Sequence, residues 1–286
     1  MTTAAARNKP VRITRGVTAG GREPLFLIAG PCVIESEAKA LALAREIQAV
    51  CARLKLPFVF KASYDKANRS SLKSFRGPGL ARGLAVLRRI KEELGIPVLS
   101  DVHETNQVAS AAEVLDVIQI PAFLCRQTDL LLEAARTGKP VNLKKGQFLS
   151  PQEMGNAIEK VLSQGNDRII LTERGTFFGY NNLVFDVRSI PTMKRWGFPV
   201  VIDASHSVQQ PGGRGEASGG EADFIPLMVR TGVAAGADGL FIEVHEDPEK
   251  ALSDRYNSLK INKLEDVLRS ALRIKKALLQ KELAAR

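Results

Sequence analysis

The stretch from Lys61 to Ser71 concentrates residue types that bind phosphate esters. It reads Lys-Ala-Ser-Tyr-Asp-Lys-Ala-Asn-Arg-Ser-Ser and directly follows a short apolar run, residues 57–60, that predicts a buried strand. Its candidate ligands are Lys61, Ser63, Lys66, Asn68, Arg69, Ser70 and Ser71. Arginine grips phosphate with paired hydrogen bonds, lysine supplies a point charge, and hydroxyl and amide groups complete the coordination of the oxygens. A solvated polar loop is the alternative interpretation, since most charge runs are of that kind.

The composition is that of a soluble globular protein with one large core or two smaller ones. Of the 286 residues, 44% are hydrophobic and 25% are charged. We expect a cytoplasmic protein without membrane association, because no apolar run reaches the roughly 18 residues that span a bilayer and the first residues lack a signal-like apolar core. The three cysteines, Cys32, Cys51 and Cys125, have no C-x-x-C spacing, so a disulfide framework is not expected.

The net charge of +10 admits an anionic partner, either nucleic acid or a small anionic substrate. The basic residues are scattered, only 6% of residues are aromatic, and no recognition-helix motif is present. We therefore expect an anionic metabolite and no nucleic acid.

Eight short apolar runs, each followed by a helical pattern, predict the architecture. The predicted strands are Leu25–Gly30, Pro57–Ala62, Pro97–Val102, Val117–Pro121, Val141–Lys145, Ile169–Arg174, Pro199–Ala204 and Gly239–His245. The predicted helices are Ser36–Leu54, Leu80–Leu94, Thr105–Val114, Gln127–Thr137, Pro151–Ser163, Asn182–Trp196, Ala222–Ala235 and Leu264–Leu283. This alternation predicts an α/β fold, a closed (β/α)8 TIM barrel, with an open doubly wound sheet as the alternative.

The chain is predicted to be a single domain. Residues 1–8 are expected to be a disordered leader, residues 9–24 a short N-terminal β-hairpin, and residues 25–286 the barrel. The glycine-rich segment 211–220, after the seventh strand, is predicted to be a mobile lid over the barrel mouth.

Polar residues recur at the C-terminal end of every predicted strand, where the chemistry of such barrels lies. Beyond the phosphate-binding stretch they include Cys32, Asp101, Gln119, Lys144, Arg174, His206, Gln209 and Glu243. Closure pairs strand eight with strand one, which brings Cys32, His206 and Glu243 together, within reach of Asp254 in the following loop. Sulfur, imidazole and two carboxylates form a plausible site for Zn²⁺, Fe²⁺, Mn²⁺ or a similar divalent ion.

A second concentration of positive charge is expected across the barrel mouth. Lys144 and Arg174 end neighbouring strands and face Lys61 and Lys66, whereas Lys145 is expected to point away because strand neighbours face opposite sides. Four cations suit two phosphates, or one phosphate and one carboxylate.

Several motifs resemble those of the 3-deoxy-D-manno-octulosonate 8-phosphate synthases, from about residue 9 to the C-terminus. They are Ile28–Ser36 (IAGPCVIES), Phe60–Ser71, Leu99–His103, Lys144–Phe148, Arg174–Asn182, Asp203–His206 and Phe241–His245. The resemblance implies a cytoplasmic homotetrameric transferase of lipopolysaccharide biosynthesis. It would condense phosphoenolpyruvate with arabinose 5-phosphate and water and release inorganic phosphate.

The resemblance also implies roles for individual residues. Phosphoenolpyruvate would be held by Lys61, Ser63, Lys66, Lys144, Arg174 and the backbone around Ala122 and Phe123. The sugar phosphate would be held by Asn68, Arg69 and Ser70, and its hydroxyls, aldehyde and the reacting water would be approached by Asp101, His206, Gln209 and Asp254. We also include Gln119 in the substrate site, and expect catalysis to depend on Lys61, Lys66, Asp101, Lys144, His206 and Asp254. Cys at position 32 implies the metal-dependent branch, with Cys32, His206, Glu243 and Asp254 as ligands.

Other functions remain open at the level of sequence. The related 3-deoxy-D-arabino-heptulosonate 7-phosphate synthases use erythrose 4-phosphate and share the Gly-Pro-Cys start, but they lack the Lys-Ala-Asn-Arg-Ser-Ser run. A Schiff-base aldolase would use Lys61 or Lys144 as nucleophile. A nucleic-acid-binding protein is the alternative outside enzymes, at a pI of about 9.6.

Overall fold

The chain folds as a closed barrel of parallel strands surrounded by helices. The computed structural model describes residues 8–69, 71–214 and 217–284. In chain order the strands are β1 (Val11–Thr14), β2 (Val17–Ala19), β3 (Phe26–Gly30), β4 (Phe58–Lys61), β5 (Val98–Asp101), β6 (Val117–Ile120), β7 (Val141–Lys144), β8 (Ile169–Glu173), β9 (Thr176–Phe177), β10 (Leu183–Val184), β11 (Val200–Asp203), β12 (Gln209–Arg214), β13 (Ala217–Gly220), β14 (Gly239–His245) and β15 (Leu259–Lys260). The helices are α1 (Glu37–Leu54), α2 (Leu80–Leu94), α3 (Thr105–Val114), α4 (Thr128–Arg136), α5 (Met154–Leu162), α6 (Ser189–Lys194), α7 (Ile225–Ala234) and α8 (Ile261–Ala284).

Strand pairing closes the barrel. Strands β3 to β8 pair in sequence, β8 pairs with β11, β11 with β14, and β14 returns to β3, always in parallel. The register places Glu243 of β14 opposite Gly30 of β3, two residues before Cys32. The predicted TIM barrel is confirmed, and the open sheet is wrong.

Burial on both faces explains why the strand sequences are almost continuously apolar. Inward side chains such as Ile28, Val59 and Phe241 form one buried cluster inside the barrel, while outward ones such as Leu27 and Phe60 pack in the larger cluster with the helices. The inner cluster also contains Val11, Ile13, Val17 and Ala19. The predicted N-terminal hairpin, β1–β2, is thus present and packs against the apolar interior of the barrel.

Two local signals set the bounds of α1 and α2. The side chain of Ser36 accepts a hydrogen bond from the backbone N–H of Lys39 at 3.3 Å, which caps α1. Helix α2 ends at Gly95, whose φ of 63° is the left-handed conformation that glycine adopts without strain. Both helices therefore begin and end within one residue of the predicted bounds.

The sixth predicted helix, Asn182–Trp196, is wrong in its first half. Leu183 and Val184 pair antiparallel with β9, and only α6 is α-helical. A turn precedes it, because a side-chain oxygen of Asp186 accepts from the N–H of Arg188 at 2.9 Å. Pro191 lies in the first turn of α6, where a missing N–H costs no helical hydrogen bond.

Two further segments differ from simple loops. Strands β12 and β13 form an antiparallel hairpin where the lid was predicted, and its motion stays a prediction. Of the predicted leader, residues 1–7 lie outside the described residues. Asn8 is buried and donates to Asp238 at 3.0 Å, so the prediction of disorder is wrong there.

Among the helices of the described ranges, none is long and apolar enough to cross a membrane.

Candidate active site

A cavity of about 730 Å³ opens at the C-terminal end of the barrel strands. Most of the predicted site residues line it: Lys61, Lys66, Asn68, Arg69, Asp101, Gln119, Ala122, Phe123, Lys144, Arg174, His206, Gln209 and Asp254. Ser63, Cys32 and Glu243 are buried around it and hydrogen-bonded to one or more of these residues. Ser70 lies outside the described residues. The cavity is large enough for two small phosphorylated molecules.

Lys61 is a buried cation whose ammonium is already occupied. Its Nζ lies 2.9 Å from Glu243 Oε1, 2.8 Å from the carbonyl oxygen of Cys32 and 3.4 Å from that of Pro31. Three acceptors account for the three hydrogens of an ammonium group. Lys61 therefore contributes a fixed charge at the floor of the cavity.

Lys144 is held by an ion pair and an aromatic ring. Its Nζ lies 2.6 Å from Asp203 Oδ2, 3.4 Å from His206 Nδ1 and 3.9 Å from the centre of the Phe241 ring. Burial lowers the pKa of Lys144, and the Asp203 carboxylate opposes that shift. Burial likewise opposes ionisation of Asp203, but His206 and Lys144 outweigh it and hold the pKa of Asp203 below its ordinary value.

Arg174 and Lys66 carry donors without a partner among the described residues. Arg174 Nη2 donates to Gln209 Oε1 at 3.0 Å, whereas Nη1 is buried without an acceptor. No described side chain or carbonyl accepts from Lys66 Nζ. Burial opposes the charge on Lys66, but the acidic groups around it, led by Cys32 and Asp101, raise its pKa. Both groups are therefore free to bind an anion.

Cys32, Glu243 and Asp254 form a compact cluster of metal-binding groups, with one ligand atom of each within 4.8 Å of the others. The Cys32 thiol lies 2.9 Å from Asp254 Oδ2. His206 Nε2 lies 3.5 Å from Glu243 Oε1 and 3.8 Å from Asp254 Oδ2. The fold thus brings together the four residues that the sequence predicted as ligands.

The donor set fits a divalent cation. Glu243 Oε2 is buried without a hydrogen-bond donor among the described residues, so it retains an unused lone pair in the cluster. Burial, and then the charges of Asp254 and Glu243, raise the pKa of the Cys32 thiol, which in this arrangement donates to Asp254. A cation would take the place of that proton and satisfy Oε2.

Hydrogen bonds to Asp203 and Gln209 orient His206 and Asp254 toward this cluster. Asp203 lies 2.7 Å from His206 Nδ1 and accepts from the His206 backbone N–H at 2.9 Å, so Nε2 faces the carboxylates. Asp254 adopts a left-handed conformation, φ 50°, ahead of the 3-10 turn Arg255–Asn257. Its Oδ1 accepts from Gln209 Nε2 at 3.0 Å, which leaves Oδ2 toward Cys32.

Asp101 also lines the cavity and is held by two neighbours. It accepts from the Ser63 hydroxyl at 2.5 Å and lies 3.0 Å from His103 Nε2. Burial opposes its ionisation, yet Lys66 and His103 hold the pKa of Asp101 well below its ordinary value. Arg69, another cavity residue, donates to the carbonyls of Phe75 and Leu252, both at 3.1 Å.

Comparison with known proteins identifies the family. The profile of the DAHP synthetase I family matches residues 6–280. The chain belongs to the DAHP synthetase I family. Within it, proteins named 2-dehydro-3-deoxyphosphooctonate aldolase from Pelobacter propionicus and Geobacter sulfurreducens are each 59% identical over 253 residues, which cover 88% of this chain and 93% of the relative. The protein of that name from Desulfatibacillum aliphaticivorans is 57% identical over 265 residues, 93% of this chain and 97% of the relative.

Sequence reasoning missed several residues of this DAHP synthetase I site. His103 lines the cavity and lies beside Asp101 but is not among the predicted site residues; its place two residues after Asp101 is the available signal. Gln147 and Ser253 also line the cavity, and the Ser253 hydroxyl lies 3.0 Å from Cys32 Sγ. Ser253 belongs to a loop without a motif, so only the folded chain reveals its position.

Proposed function

We propose that this member of the DAHP synthetase I family condenses phosphoenolpyruvate with D-arabinose 5-phosphate and water. The products are 3-deoxy-D-manno-octulosonate 8-phosphate and inorganic phosphate, and the reaction supplies a precursor of lipopolysaccharide. The observation that carries this function is the relationship to proteins named 2-dehydro-3-deoxyphosphooctonate aldolase, 57–59% identical over 88–93% of the chain. A heptulosonate 7-phosphate synthase is not favoured, because these relatives carry the octulosonate name.

Phosphoenolpyruvate is assigned to the cations at the floor of the cavity. Arg174 Nη1 and Lys66 Nζ have no acceptor within the part of the chain that the structure describes, and Lys61 and Lys144 add fixed positive charge beside them. A phosphate and a carboxylate on one small molecule match such a divided set of cations. Ser63 and the backbone at Ala122 and Phe123 would complete the binding of this substrate.

The sugar phosphate is assigned to the outer part of the cavity. Asn68 and Arg69, which are exposed and half-buried, line the cavity together with the half-buried Gln209 and the buried Asp101 and Gln119. Arg69 is braced by two carbonyl groups, so its guanidinium is fixed before a phosphate arrives. Ser70 belongs to the same proposed set.

The reaction then depends on holding phosphoenolpyruvate and the sugar phosphate in a fixed relative position. Binding both substrates removes much of the entropic barrier to their encounter. C3 of phosphoenolpyruvate bonds to the aldehyde carbon while water adds at C2, and the proton that water gives up is matched by the one that the former aldehyde oxygen takes up. Cleavage of the bond between C2 and the phosphate oxygen then leaves a ketone and inorganic phosphate, and the Lys and Arg side chains stabilise the negative charge that develops on the leaving phosphate. Ionised Asp101 is placed to accept a hydrogen bond from a substrate hydroxyl or from water.

We further propose that Cys32, His206, Glu243 and Asp254 hold a divalent ion such as Zn²⁺, Fe²⁺ or Mn²⁺. The support is the donor set itself and the unpartnered Glu243 Oε2. When bound, such an ion would polarise an aldehyde or orient and acidify water. Asp203 would keep His206 Nε2 directed at it.

A cytoplasmic homotetramer is the proposed form of the protein. Phe123, Phe148 and Phe178 are 47%, 44% and 69% exposed in a single chain. Phe123 borders the cavity, and Phe148 and Phe178 lie in the loops after β7 and β8 at the same end of the barrel. Aromatic side chains of this kind are enriched at subunit interfaces, which sedimentation of the purified protein would test.

Release of inorganic phosphate from phosphoenolpyruvate tests the function. It is measured with arabinose 5-phosphate and with erythrose 4-phosphate, each with and without a chelator. The proposal expects turnover with the five-carbon sugar, loss on chelation, and recovery with a divalent ion. A preference for erythrose 4-phosphate would overturn the substrate assignment, and a borohydride-trapped adduct on Lys61 or Lys144 would indicate a Schiff-base aldolase instead.

A further inference from the structure

A buried pair of charges that the proposed reaction does not use lies directly behind the cavity cations Lys144 and Arg174. Lys144 and Arg174 face the cavity, whereas their chain neighbours Lys145 and Glu173 point to the opposite side of the barrel wall. Both side chains are about 1% exposed, and Lys145 Nζ lies 3.5 Å from Glu173 Oε1. We infer that Lys145 and Glu173 are positioning residues that set the geometry of Lys144 and Arg174.

The ammonium of Lys145 occupies a cage of oxygen atoms. Besides Glu173, its neighbours are the carbonyls of Gly146 and Leu149, both at 3.3 Å, that of Gly175 at 3.2 Å, and the Thr176 hydroxyl at 3.1 Å. Gly146 and Leu149 follow β7, while Gly175 and Thr176 follow β8. A single cation therefore ties together the two loops that leave these neighbouring strands.

Glu173 fixes the backbone on both sides of Arg174. Its Oε1 accepts from the N–H of Gly175 at 2.7 Å, and its second oxygen is buried without a partner among the described residues. Arg174 thus lies between Glu173, which pairs with Lys145, and Gly175, whose N–H donates to the Glu173 carboxylate. The backbone N–H of Lys145 donates to the carbonyl of Thr172 at 2.8 Å, which continues the β7–β8 ladder to this point.

The tie extends to the cavity wall. The carbonyl of Gln147, a cavity residue, accepts from the N–H of Phe177 at 3.1 Å, so the two loops are also joined directly. If the ammonium were removed, the carbonyl groups of the cage would face one another beside a carboxylate. We expect the loops to separate and Arg174 to lose its fixed position relative to Lys144.

Stability alone is a weak reason for such an arrangement. A buried ion pair often contributes little to stability compared with apolar groups of the same shape, because both charges lose their hydration. Burial lowers the pKa of Lys145, and Glu173 opposes that shift. What the pair does provide is a fixed spacing between two strand ends, which a site with two adjacent cations requires.

The test combines Lys145→Met and Glu173→Gln with Lys194→Met as the matched control. Lys194 is likewise a partly buried lysine that donates to a carbonyl, that of Gly236 at 2.7 Å, and to a carboxylate, Asp238 at 2.9 Å, but it lies at the opposite end of the barrel. We expect the Lys145 and Glu173 variants to raise KM for phosphoenolpyruvate about tenfold with a smaller change in kcat. Lys194→Met should lower the melting temperature and leave KM unchanged.

Binding of inorganic phosphate, followed by calorimetry, gives a readout that does not depend on turnover. This inference rests on the proposed assignment of Lys144 and Arg174 to the substrate anion. If the unmodified protein binds phosphate but does not turn over the named sugars, the proposed function fails while the positioning role is still tested. Phosphate affinity unchanged in folded Glu173→Gln would overturn the positioning role.

Chemical rescue separates positioning from a general loss of packing. In Lys145→Ala the oxygen cage is left without its cation, and ammonium ion has the charge and hydrogen-bonding groups to replace it. We expect ammonium chloride, but not choline chloride at equal ionic strength, to restore phosphate binding and lower KM. Equal effects of the two salts would contradict a cage that requires a small cation, and Lys145→Ala that binds phosphate normally without either salt would do the same.

Discussion

Glu243 binds Lys61 through only one of its two carboxylate oxygens. Oε1 accepts a hydrogen bond from Lys61 Nζ at 2.9 Å, and Oε2 is buried without a partner among the described residues. Burial opposes ionisation of Glu243, but Lys61 and then His206 lower its pKa, so the group stays a carboxylate. One side chain therefore joins the cation floor of the cavity to the proposed metal site.

Removing the thiol of Cys32 should remove a metal ligand. Since burial and the neighbouring carboxylates raise the pKa of this thiol, metal binding must displace a proton. We expect the affinity to rise with pH by about tenfold per unit below the pKa of the thiol. Titration with Co²⁺ should give a sulfur-to-cobalt absorption band in the unmodified protein that is lost in Cys32→Ser.

The control for this prediction is Cys51→Ser. Cys51 is also buried, and burial raises its pKa to about 12, but it lies on α1 away from the cluster. Its replacement should leave the cobalt spectrum intact. A Cys32→Ser protein with an unchanged spectrum would show that sulfur is not a ligand.

Replacing Arg174 should weaken binding of phosphoenolpyruvate more than it lowers kcat. Arg174 Nη1 is a buried donor with no acceptor in residues 8–69, 71–214 and 217–284, and a lysine at this position would supply charge without the paired geometry. We expect Arg174→Lys to raise KM about tenfold and Arg174→Met about a hundredfold. Steady-state kinetics at saturating sugar phosphate measures both.

Arg168→Lys is the matched control for this series. Its guanidinium donates to the carbonyls of Gly138 and Arg12 on the exposed N-terminal side of the barrel. An equal rise in KM there would mean that the effect at Arg174 comes from the fold and not from the site.

The strand pattern was predictable from the sequence because each strand is buried on both faces. Val141–Lys145, for example, was expected as a strand, and β7 ends one residue earlier. Closure did not follow from this pattern, because right-handed alternation of strands and helices also suits an open sheet. The pairing of β14 with β3 establishes closure and brings Glu243 near Cys32. The loops were harder to predict, because hydrophobic periodicity does not encode their paths. Examples are the turn at Asp186 ahead of α6 and the approach of Ser253 to Cys32.

The ion pair between Asp203 and Lys144 should make stability depend on pH. His206 and Lys144 hold the pKa of Asp203 below its value in the unfolded chain, despite burial. Its contribution is therefore present above the unfolded pKa of about 3.9 and is lost as pH falls toward the folded value. We expect Asp203→Asn to cost about 3 kcal/mol at neutral pH, because Lys144 is left buried without its counter-ion, and the difference to shrink below about pH 4.

Urea unfolding at several pH values measures this difference. Asp186→Asn is the control, since Asp186 pairs with Arg188 at the surface, where solvent screens the interaction. A constant difference between the unmodified protein and Asp203→Asn across this pH range would contradict a depressed pKa for Asp203.

A methyl group at Gly30 should disturb the barrel where the cavity begins. Gly30 has a φ of 156°, and a Cβ atom there would lie 1.9 Å from the backbone carbonyl oxygen of Lys61. The clash involves backbone, so β3 and β4 must separate, which moves the lysine at the floor of the cavity. We expect Gly30→Ala to lower the free energy of unfolding by about 3 kcal/mol or more and to reduce phosphate binding. In Gly16→Ala the added methyl has no neighbour within 4 Å, so chemical denaturation should show little change. Similar losses in both variants would mean that the general loss of glycine's backbone freedom, and not the clash with Lys61, explains the result.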